Sequence, residues 1–254
     1  MIAVQQIIDE LNTLLEIELY RDLCPNGHQI EGHSQVEKIA FAVSADLKTI
    51  EAVCQWGAQA LITHHGLLWN YAGARPLVGA HGKRVRLLIE NKINLISYHL
   101  PLDGHPQLGN AAQIAQRLHL QNIERFGLEK GNYLGVSGEL SKAISAEELK
   151  EQLAQLLNHS VIMATPQDKR PICSLGIITG GANNQWIYAQ EAGLDAYLTG
   201  EISEYNWHDA QEGGVTYFAA GHHATERFGV MALSQILAEK YSIETRFFDS
   251  ENPA

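Results

Sequence analysis

Apolar and polar residues alternate at helical spacing over residues 4–18, which predicts an opening amphipathic helix. The stretch DLCPNGHQIEG at 22–32, with its proline and two glycines, reads as a loop. Short apolar runs then alternate with helical patterns. IAFAV (39–43) predicts a strand, 45–56 a helix closed by Gly57, and ALITHH (60–65) a second strand. A helix over 82–91, the strand INLISYH (93–99) and a helix over 110–118 follow. The middle of the chain, 121–170, is less regular, with a strand at 133–140 and a helix at 146–157 that carries its acids in the first turn. The alternation resumes with strands at 172–179, 196–199, 215–220 and 244–248, separated by helices at 183–192, 203–211 and 225–240.

Strand–helix alternation of this length predicts an α/β fold with largely parallel sheets. A weak internal repeat refines it. Residues 52–63, AVCQWGAQALIT, align with 188–199, YAQEAGLDAYLT, so that Gly57, Ala60 and Thr63 fall on Gly193, Ala196 and Thr199. Both halves also carry an apolar strand ending near a histidine with a carboxylate four residues on: His99 with Asp103, and His222 with Glu226. Chance likeness of two βαβ units is the alternative; the second shared feature favours duplication. The expected architecture is two similar α/β lobes, at about 1–125 and 171–254 and joined by 126–170. The carboxyl ends of their strands would line one cleft.

Composition narrows the function classes. The chain has 254 residues, 45% hydrophobic and 19% charged, with a formal net charge of −11. These are the proportions of an ordinary globular protein, and the negative charge disfavours nucleic acid and anionic membranes as partners. No apolar run reaches the roughly 20 residues of a membrane span. The first fifteen residues, with Asp9 and Glu10 in the apolar stretch and no basic start, do not read as a signal peptide. Cys24, Cys54 and Cys173 are far apart and form no CxxC, which fits buried thiols in a reducing cytoplasm. The odd figure is 12 histidines.

Some of those histidines are placed. THHG puts His64 and His65 at a strand end, where the turn on Gly66 lets both imidazoles face one side although strand neighbours normally point apart. HLPLD brings Asp103 on a loop stiffened by Pro101, and HHATE brings His222 and Glu226. Imidazole and carboxylate donors suit divalent Zn, Fe, Mn or Co. Two such ions about 3.5–4 Å apart, bridged by a carboxylate, form a hydrolytic centre. A single strand-end histidine is more often structural; two adjacent pairs with matching carboxylates are harder to dismiss. Glu201 either holds or activates a water at this site or is a helix N-terminal acid. His208 reads as structural, Asn26 as a turn residue, and His28, His33, His81, His105, His119 and His159 as surface or capping residues. No dinucleotide fingerprint, P-loop, HExxH or nucleophile elbow is present.

DLCPNGHQIEG, THHG, YHLPLD, LGNAAQIA, LTGEIS and GHHATE, in that order over nearly the whole chain, resemble the Nif-three-like family of dinuclear metal proteins, known as GTP cyclohydrolase I type 2 homologs. The 120–172 stretch is too short for the extra domain of some members, so the chain resembles the compact bacterial form. The resemblance implies two α/β lobes around a cleft, subunits in a toroidal hexamer, and two divalent metal ions per chain. By motif, His64 and Asp103 would bind one ion, His65 and His222 the other, and Glu226 both. His99 fits a supporting role, and His223 falls where the family varies. The implied activity is metal-dependent hydrolysis of a small, nucleotide-like molecule, with the imidazole ring of GTP as the substrate the family label suggests. The other class of function is a ring-forming metal-binding regulatory or interaction protein without catalysis.

Overall fold

The computed structural model describes residues Met1–Ala254. Its contacts group them into two units, each built on one mixed sheet: Met1–Leu102 with Gly229–Ser250, and Asp103–Phe228 with Glu251–Ala254.

The first unit begins with β1 (Ile2–Ala3) and α1 (Val4–Leu14). Helix α1 buries Val4, Ile7, Ile8 and Leu11, the face its spacing predicts. It stops short of residue 18 because Glu16 takes a left-handed backbone, φ 49°, and Ile17–Leu19 form a separate 3₁₀ turn. Next come β2 (Gly27–Ile30), β3 (Gln35–Val36), β4 (Lys38–Ser44), α2 (Leu47–Trp56), β5 (Ala60–His65), α3 (Gly79–Glu90), β6 (Asn94–Ser97) and the short α4 (Leu100–Asp103). Strands β4, β5 and β6 run parallel and are buried almost throughout, which explains their unbroken apolar sequences. Asp46 caps α2 by accepting from the Thr49 amide at 3.1 Å. Strand β2 lies antiparallel on β6 inside the stretch that reads as a loop. Its half-exposed Gly-His-Gln-Ile sequence has no strand pattern of its own.

The second unit contains α5 (Asn110–Arg117), β7 (Gln121–Glu129), β8 (Asn132–Ile144), α6 (Ala146–Leu157), β9 (Ile162–Ala164), β10 (Ile172–Ile177), α7 (Trp186–Glu191), β11 (Ala196–Thr199), α8 (Glu204–Glu212), β12 (Thr216–Ala219) and α9 (His222–Thr225). Its six-strand order is β7-β8-β10-β11-β12-β9. Only β10, β11 and β12 are mutually parallel; β8 and β9 flank them antiparallel, and β7 pairs antiparallel with β8. This sheet is therefore mixed rather than largely parallel, whereas in the main sheet of the first unit only β2 runs against its neighbour. Helix α10 (Arg227–Tyr241) then leads to β13 (Glu244–Phe247). Strand β13 does not join the sheet of the strands just before it in sequence: it pairs parallel with β4, giving the order β13-β4-β5-β6-β2.

The aligned segments share one local device. Gly57 and Gly193 both close their helices with positive φ, 76° and 68°. Each donates its amide back to the helix, to Cys54 and Gln190, and each following residue does the same, to Val53 and Ala189. The likeness covers this helix–turn–strand unit; the surrounding sheets differ in strand number and in their edges.

Candidate metal centre

In the first unit, β5 ends on His64 and His65, held between β4 and β6. A Cβ at Gly66 would lie 2.2 and 2.4 Å from Gln29 Oε1 and Ser97 Oγ, so any side chain at this turn would have to displace both. The turn brings the two rings to one side, with centroids 4.6 Å apart. His64 is fully buried, and its Nδ1 lies 2.9 Å from the Tyr98 carbonyl. A carbonyl can only accept, so Nδ1 carries the proton and Nε2 the lone pair. His65 Nδ1 is 3.0 Å from Ser44 Oγ.

His99 joins this group from the end of β6. Its Nδ1 sits 2.8 Å from Asp22 Oδ1. Asp22 also accepts from the Asn26 side chain and from the amides of Leu23 and Leu100, and Asn26 Oδ1 accepts from the His99 amide. Burial alone would raise the Asp22 pKa, but the hydrogen bond and charge of His99 and the bonds from Asn26 and Leu100 bring it below the usual value. One ligand nitrogen from each of His64, His65 and His99 lies within 4.8 Å of the others.

In the second unit, Asp103 ends α4 and accepts from Asn110 Nδ2 at 2.9 Å and Thr179 Oγ1 at 3.3 Å. His222 opens α9 after Gly221, whose φ is 90°. Its Nδ1 is 2.5 Å from Glu201 Oε1 and its Nε2 3.1 Å from Glu226 Oε2. Burial would lower the His222 pKa, yet hydrogen bonds and charge from Glu226 and Glu201 push it up to about 9. With no ion, the ring thus carries a proton on the nitrogen that faces Glu226. Asp103 and Glu226 offer carboxylate oxygens within 4.8 Å of each other. Glu226 is 3% exposed, and the backbone makes room for it: a Cβ on Gly180 would lie 2.1 Å from Glu226 Oε1. Gly180 also has φ 68°, which a side chain would strain.

The donor set fits divalent metal. Each of these histidines is anchored through Nδ1 by a carbonyl, hydroxyl or carboxylate, the arrangement that orients ligating imidazoles. The carboxylates are hydrogen-bonded in turn. Of the five predicted ligands, His64 and His65 come together in the first unit, and Asp103, His222 and Glu226 in the second. Sequence reasoning did not find the anchoring partners Ser44, Asn110 and Thr179, the clamp role of Asp22 and Asn26, or Gly180. Two signals were on hand for some of these: Asp22 and Asn26 lie in a quoted motif, and two glycines, Gly180 and Gly181, directly follow the strand predicted at 172–179. Glu201 supports His222 through Nδ1. His105 caps locally by accepting from the Gln107 and Leu108 amides, and His208 is exposed on α8.

Three comparisons with known proteins bear on this site. The profile of the family described as Duf34/NIF3 (NGG1p interacting factor 3) matches residues 2–253. A GTP cyclohydrolase 1 type 2 homolog of Vibrio cholerae is 42% identical over 245 residues, covering 96% of both chains. A protein of the same description from Haemophilus influenzae is 39% identical over 246 residues, again 96% of each. Among solved structures, protein ybgI, described as of unknown function, is 35% identical with a TM-score of 0.92 and complete coverage of both chains.

Proposed function

The chain belongs to the Duf34/NIF3 family, and on that premise we propose that it is a hydrolase dependent on two divalent metal ions. In this reading His64 and Asp103 hold one ion, His65 and His222 the other, and Glu226 bridges them. The carrying observation is the shared anchoring of His64, His65 and His222 through Nδ1, which presents Nε2 for ligation. Zn, Fe, Mn and Co all suit imidazole and carboxylate donors.

Bound ions would supply Lewis acidity and an acidified water. The protein's own part is positional. Asn110 and Thr179 fix the Asp103 carboxylate, Glu201 fixes the His222 ring, and Gly180 keeps space beside Glu226. Five ligands for two ions leave coordination positions open for substrate and water, as catalytic sites do. The proposed substrate is a nucleotide-like small molecule. The relatives' description points to GTP; in this reading its imidazole ring is hydrolysed at carbon 8 with release of formate. Two divalent ions would add about four positive charges to a chain of net −11 where an anionic substrate binds. The reading includes two lobes derived by duplication around one cleft, and assembly into a toroidal hexamer.

The test is a metal count on purified protein, with GTP and phosphoester assays with and without chelator. About two ions per chain and chelator-sensitive turnover lost in Glu226→Gln are expected. Stable metal with no turnover, and an oligomer that dissociates on chelation, would replace the enzyme with a ring-forming metal-binding protein.

A further inference from the structure

We propose that His99 is a third imidazole ligand of the metal centre, oriented by Asp22. The inference deepens the proposed function and rests on its metal-bound reading. Four observations, all within the first unit, carry it.

The first is convergence. The His99 ring lies 5.0 Å from His64 and 5.6 Å from His65 between centroids, and the three share ligand nitrogens within 4.8 Å of one another. Three imidazoles so close repel if charged, and a cation among them turns that crowding into attraction. The second is the tautomer. The Asp22 carboxylate accepts from Nδ1, which leaves Nε2 as the nitrogen available to an ion. The third is that Nε2 meets no hydrogen-bonding group of the protein, although the His99 side chain is only 14% exposed. That nitrogen is reached by solvent, and so by an ion.

The fourth is the investment in orientation. The Asp22 side chain is 2% exposed and takes hydrogen bonds from Leu23, Asn26, His99 and Leu100. Asn26 returns to hold the His99 backbone, and Trp69 packs edge-on to the ring at 5.2 Å. This is a carboxylate–histidine pair like Glu201–His222, the arrangement that sets ring angle and raises ligand basicity. A side chain that merely filled space would need none of this.

The test is a cobalt(II) and zinc(II) titration of the full chain by chelator competition, for wild type, His99→Gln and Asp22→Asn. X-ray absorption counts imidazoles per ion, and circular dichroism of the metal-free proteins confirms folding. His99→Gln is expected to weaken one of the two ions by about 10–100-fold and to remove one imidazole from the count. Asp22→Asn, which keeps the ring, should weaken the same ion by about tenfold and leave the imidazole count unchanged. If both variants bind two ions with wild-type affinity and spectra, His99 is not a ligand and the five-ligand reading stands alone. A wild type that takes up no metal would contradict the proposed function itself, and this inference with it.

Discussion

The two units support their histidines in different ways. In the first unit three imidazoles gather, and their anchors are a backbone carbonyl, a hydroxyl and the buried carboxylate of Asp22. In the second, one imidazole stands between two carboxylates, Glu201 and Glu226, with a third, Asp103, near Glu226. The difference is electrostatic. The clustered rings have a single carboxylate among their anchors, Asp22 at His99. A ring between carboxylates holds a proton, with a pKa pushed up to about 9, and a metal ion must displace that proton to bind. One unit gathers imidazole donors with a single anchoring carboxylate, the other concentrates negative charge around one imidazole. The glycines follow the same division: Gly66 frees the turn after the imidazole pair, and Gly180 frees the space around a carboxylate.

This contrast can be broken at its strongest point first. Glu226→Gln removes the buried carboxylate that faces His222 Nε2 and should cost at least about 100-fold in affinity for both ions, measured by competition with a chelator. Gly180→Ala comes next. Its Cβ would press on Glu226 Oε1 and its φ of 68° would be strained, so stability should fall by roughly 1–3 kcal/mol in chemical denaturation, with weakened metal uptake. Glu201→Gln should cost about 10–100-fold in affinity for one ion only, because it touches His222 and no carboxylate ligand.

The smallest effect lies away from the metal site. Glu10 is hydrogen-bonded to Lys240 and Tyr241, tying α1 to α10. Although burial opposes it, those bonds hold the Glu10 carboxyl below its usual value. A lowered carboxyl contributes stability that is present above its unfolded pKa and is lost as pH falls through the folded one. Denaturation midpoints of wild type and Glu10→Gln should therefore differ slightly at neutral pH and converge on acidification through the carboxylate range. A difference that grew with acid would contradict the tie.

The pattern of apolar residues located most of the fold, and the exceptions share a cause. Strands β4, β5, β11 and β12 are buried on both faces, so their sequences announce them. Strand β7 exposes residues 121–125 and lies at a sheet edge, and β2 and β9 are short edge strands. Strands β2 and β9 depend on pairing with distant partners, β6 and β12, and β7 on the hairpin it forms with β8, rather than on their own alternation. Helix α1 was legible in its buried face but not in its end, which a left-handed Glu16 decides. At the site, the paired histidines and their carboxylates stood out by spacing. The anchors did not, because Ser44 meets His65 and Asp22 meets His99 across 21 and 77 residues of chain. Such pairings are fixed by strand register and loop closure, which local sequence does not display.

The most direct measurement of the central claim is the metal content of the reconstituted protein, wild type against Glu226→Gln, by mass spectrometry after exhaustive dialysis. A centre bridged by Glu226 predicts about two ions per wild-type chain and a clear loss in the variant. Fewer than about one ion per wild-type chain, or an unchanged content in Glu226→Gln, would contradict it.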